Sequence, residues 1–321
     1  MVSGTNDKYL RADVAIPTAY EIAEPLLVWN KLFPGVQEES NSFMYAYDSS
    51  GKASDTKKQK PAPFTDGALF PEIDRSRKSY TSALTNSSGF SMRLPREVVR
   101  RTGGASELLD AYETAGYWLA NYINDTIQTD ICAGATTSFT KFSVGTAWSE
   151  TGATPVQDIM NLAEDMDREG YPFRLTDLFV EKTNWYELKD YLTSVDVSDL
   201  KATRAYGLPE VKGDEAYIPI TDTRVHKLYS GLDHSYVLGI DATPSQRVAE
   251  IHYFNDEKYS IPNIRYQTIR NGQKVTETVP NFGLHFKQYE EDNSHDTILQ
   301  FWCEFKAVVK KPYGVLYGSG I

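Results

Sequence analysis

Apolar and polar positions change rhythm several times along this chain, and each rhythm predicts an element. From Pro155 onward Val156, Ile159, Met160, Ala163 and Met166 recur at helical spacing and make one apolar face. Asp158, Glu164, Asp165 and Asp167 populate the other side. Thr154 stands where a hydroxyl can accept a bond from a free amide of the first turn. Pro155 follows at the position where its missing N–H costs nothing, and Gln157 completes a capping-box pattern. With Gly170 as the stop, the spacing predicts a helix over 155–169. Leu178 to Val180 then reads as a short buried strand. Thr183 reads as the cap of a second helix with Trp185, Leu188 and Leu192 on one face, which makes an α/β unit.

The longest periodic run lies upstream, in ASELLDAYETAGYWLANYINDTIQTDICAG. Leu108, Tyr112, Ala115, Leu119, Tyr122 or Ile123, and Ile127 keep the period, Ser106 is the expected cap, and Gly134 ends the run. Glu107 and Asp110 favour the N-terminal end of the helix dipole. At about 1.5 Å per residue this helix is roughly 40 Å long. Its a/d repeat is not clean enough for a coiled coil, so it reads as a structural spine.

Helical periodicity fades between 36 and 94. SFMYAY alternates like a strand, and YTSALTNSSGFSMRL is strand-like again. Between them Asp48 to Gly67 is polar, with Lys57, Lys58 and Lys60 near its tip. Two extended runs flanking a polar tip predict a long hairpin that projects and needs a partner, since it cannot bury both faces alone. Residues 1–26 are polar and contain Pro17 and Pro25. They read as an arm with enough apolar content to dock but not to fold alone. AYIPI (216–220), HSYVLGI (234–240) and VAEIHYF (248–254) are β-like, and 297–318 reads as two strands broken by Lys310, Lys311 and Pro312. The class is α+β.

Composition narrows the function classes. The chain has 321 residues, 40% apolar, with 21 tyrosines, so a sizeable core and large contact surfaces are within reach. A net charge of −11 argues against a dedicated nucleic-acid binder or a polybasic membrane-surface protein. The charge is uneven: residues 1–105 hold 14 Lys/Arg against 12 Asp/Glu, the remainder 19 against 32. Such asymmetry suits contacts between copies of one chain, though chance accounts for it equally well. Cys132 and Cys303 form no CxxC pair and read as buried reduced thiols. No apolar run approaches a membrane span, and the first residues lack the apolar core of a signal peptide, so a cytosolic folding compartment is expected.

The search for chemistry returns little. His226, His234, His252, His285 and His295 form no HExxH, and no GxSxG, P-loop or GxGxxG occurs. Asp222, His226, Asp233 and His234 are the densest metal-compatible group but read as ordinary polar residues near strand ends. Glu290 and Glu291 have no evident partner for acid–base work. Arg93, Arg96, Arg100 and Arg101 cluster just before the spine helix. They suit pairing with acids of a neighbouring copy better than contact with nucleic acid.

The order of parts (polar arm, projecting hairpin, spine helix, α/β domain, final strand pair) resembles that of the HK97-fold major capsid proteins of tailed bacteriophages and related archaeal viruses. The resemblance covers roughly residues 28–317 and is clearest in WSETGATPVQDIMNLAEDMDREGYPFRLTDLFVEKTNWYEL. Trp148, Pro155, Asp158, Ile159, Val180, Trp185 and Leu188 occupy the family's pattern there, and VLGID, EIHYFND and WCEFKAVVKKPYGV look like its later strands. The resemblance implies an N-terminal arm at 1–27 and an extended hairpin (E-loop) at 28–94. It also implies a peripheral (P) domain at 95–154 and 285–321, and an axial (A) domain at 155–284. It further implies a non-enzymatic subunit, without cofactor or metal, that self-assembles as pentamers and hexamers into an icosahedral shell. That shell would enclose double-stranded DNA without sequence-specific binding or membrane contact. Portal proteins, with scaffold or decoration proteins in some members, would be its partners, and the virion, assembled in host cytoplasm, its location. Lys57, Lys58, Lys60, Arg75, Arg77, Arg96, Arg100 and Arg101 are then the candidate inter-subunit contacts. Some members cross-link a hairpin Lys to an Asn of a neighbour. No Asn here matches, so non-covalent assembly is expected. No long scaffolding segment precedes the arm, which implies a separate scaffold or none. An encapsulin-type compartment is the nearest alternative; a soluble α/β enzyme or a tail-tube subunit is more distant.

Overall fold

The computed structural model describes residues 12–29, 32–48, 78–97, 105–134, 142–143, 146–167, 173–194, 207, 209–228, 236–270, 273–291 and 294–319. The chain is α+β, with four α-helices among the described residues. It divides into two units, each assembled from three separate chain segments. The first takes 1–43, 82–127 and 250–307; the second takes 44–81, 128–249 and 308–321.

In the first unit, helix α1 (Ala12–Ala23) buries Ala15, Ile16, Ala19, Tyr20 and Ala23, a narrow stripe of mostly small residues. Pro17 is the sixth of its twelve residues, where the missing N–H leaves one i→i−4 bond unmade. Helix α2 (Ala105–Gly134) starts one residue before Ser106, which falls within the first turn rather than ahead of it. Its predicted face is the buried one: Leu108, Tyr112, Ala115, Leu119, Ile123 and Ile127. Buried Asn124 of α2 ties down the segment after α1, donating to the Leu26 carbonyl and accepting from the Val28 amide.

A five-stranded sheet forms the floor of this unit. Strands β1 (Gly35–Glu38), β11 (Ala249–Phe254), β15 (Thr297–Val309) and β14 (Leu284–Glu290) lie in that order, and β4 (Asn86–Leu94) also pairs with β15. Expectation and structure differ over β4. The strand-like run 80–94 breaks at Thr85: β3 (Lys78–Leu84) pairs with β2 (Ser42–Asp48) in a two-stranded sheet, whereas β4 leaves it and runs antiparallel to β15. The core is aromatic. Phe301 touches Phe90, Tyr112 and Phe286, and Tyr122 meets Phe305. Burial pushes the Tyr112 phenol up to about 12. A second hairpin, β12 (Asn263–Arg270) with β13 (Gln273–Pro280), seats Tyr266 edge-on against Tyr20 of α1. The turn from it into β14 is closed by buried Asn281. Its amide donates to the Ile261 and Leu284 carbonyls and its oxygen accepts the Leu284 N–H. Gly283, at φ 81°, accepts the Glu304 amide bond of β15 in that turn.

The second unit is built on a seven-stranded sheet. Its order is β5 (Phe142–Ser143), β16 (Val315–Ser319), β10 (Tyr236–Ile240), β6 (Asp177–Glu181), β9 (Thr223–Leu228), β8 (Glu215–Ile218) and β7 (Glu210–Lys212). The central β6 is the strand read from Leu178 to Val180, a continuous buried run as befits a strand covered on both faces. Helix α4 (Lys182–Ser194) packs on β6 and β9 with Trp185, Leu188 and Leu192 turned inward. It begins before Thr183, so that residue is not its cap; the Thr183 amide instead donates to the Glu181 carboxylate. Helix α3 (Pro155–Asp167) matches its forecast closely and packs on β16. Two details change. The Gln157 amide donates forward to Asn161 rather than back to the cap, and Asp158 is buried, not on the solvated side.

Candidate functional site

Of the eight candidate contact residues, Lys57, Lys58, Lys60, Arg75, Arg77, Arg100 and Arg101 lie outside the described residues. Arg96 is exposed, and its main-chain N–H donates to Asp296 at 3.0 Å. That bond, together with Ser294 and nearby Arg93, holds the Asp296 carboxyl below its ordinary range. Arg93, expected to meet acids of another copy, pairs within its own chain with Glu291 and with Asp296. Among the described residues no metal-compatible group converges. Asp222 accepts the Tyr217 hydroxyl, His226 turns to Asp177, and Asp233 and His234 lie outside the described residues.

The densest charged cluster of the second unit was invisible in the sequence. Asp177 opens β6 with no solvent exposure. One oxygen receives His226 Nε2 at 2.8 Å and Arg224 at 3.0 Å; the other accepts the Thr176 hydroxyl at 2.8 Å and Arg224 at 3.2 Å. Burial alone would raise this carboxyl. The bonds from His226 and Thr176 and the Arg224 charge outweigh it and hold the group below its ordinary value. The parallel β6–β9 register sets Asp177 opposite Arg224, so the two strands align the cluster. No Ser, Thr or Cys stands beyond His226 as a nucleophile in these contacts; the ring's other nitrogen faces Glu215 at 3.5 Å. The arrangement anchors charge in a sheet.

Trp148 and Asp158, both read as pattern residues, meet directly: the indole Nε1 donates to the carboxylate at 3.0 Å in a buried setting. Burial raises the Asp158 carboxyl, and the indole bond lowers it. Trp148→Phe should destabilise the fold by about 2 kcal/mol at neutral pH, since a bond to a buried charged group is lost. Without the indole bond the carboxyl takes up a proton more readily, so the penalty should shrink as pH falls into the carboxylate range; urea unfolding at neutral and acid pH checks this.

In the first unit a recess of about 380 Å³ is lined by Tyr20, Phe33, Tyr253, Tyr266 and Phe282. Its polar groups satisfy one another: Arg270 pairs with Glu277 at 2.6 Å, and Glu277 accepts the Tyr266 hydroxyl. Burial first, then that bond, pushes Tyr266 up to about 12. More telling is where apolar side chains face water. Met44, Tyr80 and Leu84 sit on the β2–β3 hairpin, Leu109 and Tyr117 on α2, and Ile269 and Val275 on the β12–β13 hairpin. Apolar groups left exposed on the two hairpins and along this helix are candidate contact surfaces.

No family model and no curated protein sequence matches this chain. Solved structures do. The capsid of the cyanophage P-SCSP1u is 11% identical with a TM-score of 0.55, over 92% of this chain and 88% of that one. A virus-like particle from Pyrococcus furiosus is 12% identical with a TM-score of 0.52, over 94% and 96%. The holo encapsulin complex from Synechococcus elongatus is 9% identical with a TM-score of 0.52, over 90% and 85%. The chain has the fold that these three proteins share.

Proposed function

We propose that this chain is a major capsid subunit that self-assembles, as pentamers and hexamers, into an icosahedral shell around double-stranded DNA. The observation that supports this most is the likeness of fold, over nine-tenths of the chain, to subunits of a phage capsid, a virus-like particle and an encapsulin. The exposed apolar residues of the two hairpins and of α2 supply the contact area that shell assembly needs. In this reading residues 1–27 serve as the arm, 28–94 as the extended loop reaching a neighbour, 95–154 with 285–321 as the peripheral domain, and 155–284 as the axial domain. Scaffold, portal and decoration proteins would join the same particle. An encapsulin-like compartment is the second reading, favoured by its shared fold; the long polar stretch 48–67 speaks for the virus.

Light scattering and negative-stain microscopy of the purified chain test the proposal. Closed particles of megadalton mass containing DNA are expected. Particles filled with protein and free of DNA would transfer the chain to the encapsulin reading. A subunit that stays monomeric at every concentration and with its neighbouring gene products co-expressed would sink both.

A further inference from the structure

The β12–β13 hairpin has one face that nothing in its own unit accounts for. The register pairs Ile264 with Val279 and Tyr266 with Glu277 on the face that packs against α1. The other face carries Arg265 beside Thr278, Gln267 beside Thr276, and Ile269 beside Lys274. All six are exposed, Ile269 by 69%, and no acidic residue shares that face. A basic face with an exposed Ile near the hairpin tip is also out of character for a chain of net charge −11.

Its complement lies on the spine. Helix α2 carries five carboxylates, at Glu107, Asp110, Glu113, Asp125 and Asp130, and no Lys or Arg in 30 residues. Leu109, Glu113 and Tyr117 recur every four residues along an exposed edge, with Asp110 beside them. Leu109 and Tyr117 are 59% and 50% exposed. The dimensions agree: Leu109 to Tyr117 spans about 12 Å of helix, and Arg265 to Ile269 about 13 Å of strand. The hairpin face sets one apolar side chain beside basic ones, and the helix edge sets two apolar side chains about acidic ones.

Building on the capsid reading, we infer that the outer face of the β12–β13 hairpin docks on the acidic edge of α2 in a second copy of this chain. Ile269 packs against the exposed apolar side chains of the helix. Arg265 and Lys274 meet Asp110 and Glu113. The contact joins two different surfaces, so each copy keeps a free hairpin face and a free helix edge, and the interaction propagates from copy to copy.

Charge reversal and exchange test it. Arg265→Glu with Lys274→Glu should cut shell yield at least tenfold while the soluble subunit keeps wild-type circular dichroism and elution volume. Asp110→Lys with Glu113→Lys should do the same, and the milder Asp110→Asn with Glu113→Gln should weaken assembly without disturbing the helix start. The variant carrying all four reversals should regain shells, because the pairing is restored with its signs exchanged. Wild-type yield from either reversal pair would overturn the inference and leave the capsid reading standing. So would a folded four-fold variant that does not regain shells. Absence of shells from the unaltered chain would instead remove the capsid reading, and this contact with it.

Discussion

Asp177→Ala should lose about 3–5 kcal/mol of subunit stability, the cost of removing one partner from a buried charged cluster. The side chain is fully enclosed, and its loss removes the acceptor of His226 Nε2 and leaves the Thr176 hydroxyl only the Ile240 carbonyl. Against a typical total of about 5–15 kcal/mol, that takes a large share. Asp177→Asn keeps the shape and one acceptor, so its loss should be smaller. The wild-type carboxyl is held below its ordinary value of 3.8. Its contribution is therefore complete above that value and fades as pH falls below it toward the folded pKa, because the unfolded chain takes up the proton first. The gap between wild type and Asp177→Asn should accordingly narrow in acid. Urea midpoints from pH 7 down to pH 3 check it; a gap independent of pH would mean that the carboxylate's charge contributes nothing.

Gly283→Ala should be as damaging, through the backbone alone. The residue sits at φ 81°, where an L side chain is strained, and an added Cβ would stand 2.3 Å from the Glu304 carbonyl oxygen. That oxygen belongs to β15, which β14 and β4 hold on its two sides, so it has little room to retreat. Strain and overpacking together should cost at least about 3 kcal/mol. Gly213→Ala is the control. It also has positive φ, 60°, but open space around it, so only the conformational cost of about 1 kcal/mol applies. Equal thermal shifts for the two variants would show that the contact with Glu304 is easily relieved.

Elements whose cause is local were legible in the sequence. Helix α3 carries its own cap position, Pro155 and apolar period, and β6 its own unbroken apolar run, so both emerged close to their forecast ends. What depends on distant partners was not. Asp158 carries a charge that periodicity assigns to water, and only Trp148 explains its burial. Asp177 and His226 stand 49 residues apart, and His226 looked like a member of a group with Asp222. The β12–β13 hairpin alternates weakly because Ile269 stands on its exposed face while Thr268 and Glu277 stand on the other, so its strands left little periodic trace. Pro17 hid α1 because a proline in a helix interior usually breaks it, and here packing of Ala15, Ile16, Ala19 and Tyr20 carries the helix through. The candidate contact residues rested on basic clusters in the first 105 residues. The basic face at Arg265 and Lys274 instead depends on register, which one chain read in isolation does not reveal.

The pairing of β4 with β15 also sets a timetable. Asn86 of β4 lies opposite Phe305, a residue translated roughly 200 positions later. At about 5–20 residues per second, the ribosome needs on the order of 10–40 s to deliver it. The other unit waits too, since β16 lies inside its sheet between β5 and β10. A nascent chain halted before Thr297 therefore leaves Phe90, Tyr112 and Phe286 without Phe301, and neither sheet is complete. Translation thus acts as an inspector: a chain terminated early lacks both finished units, and its stability should fall far short of the complete chain's.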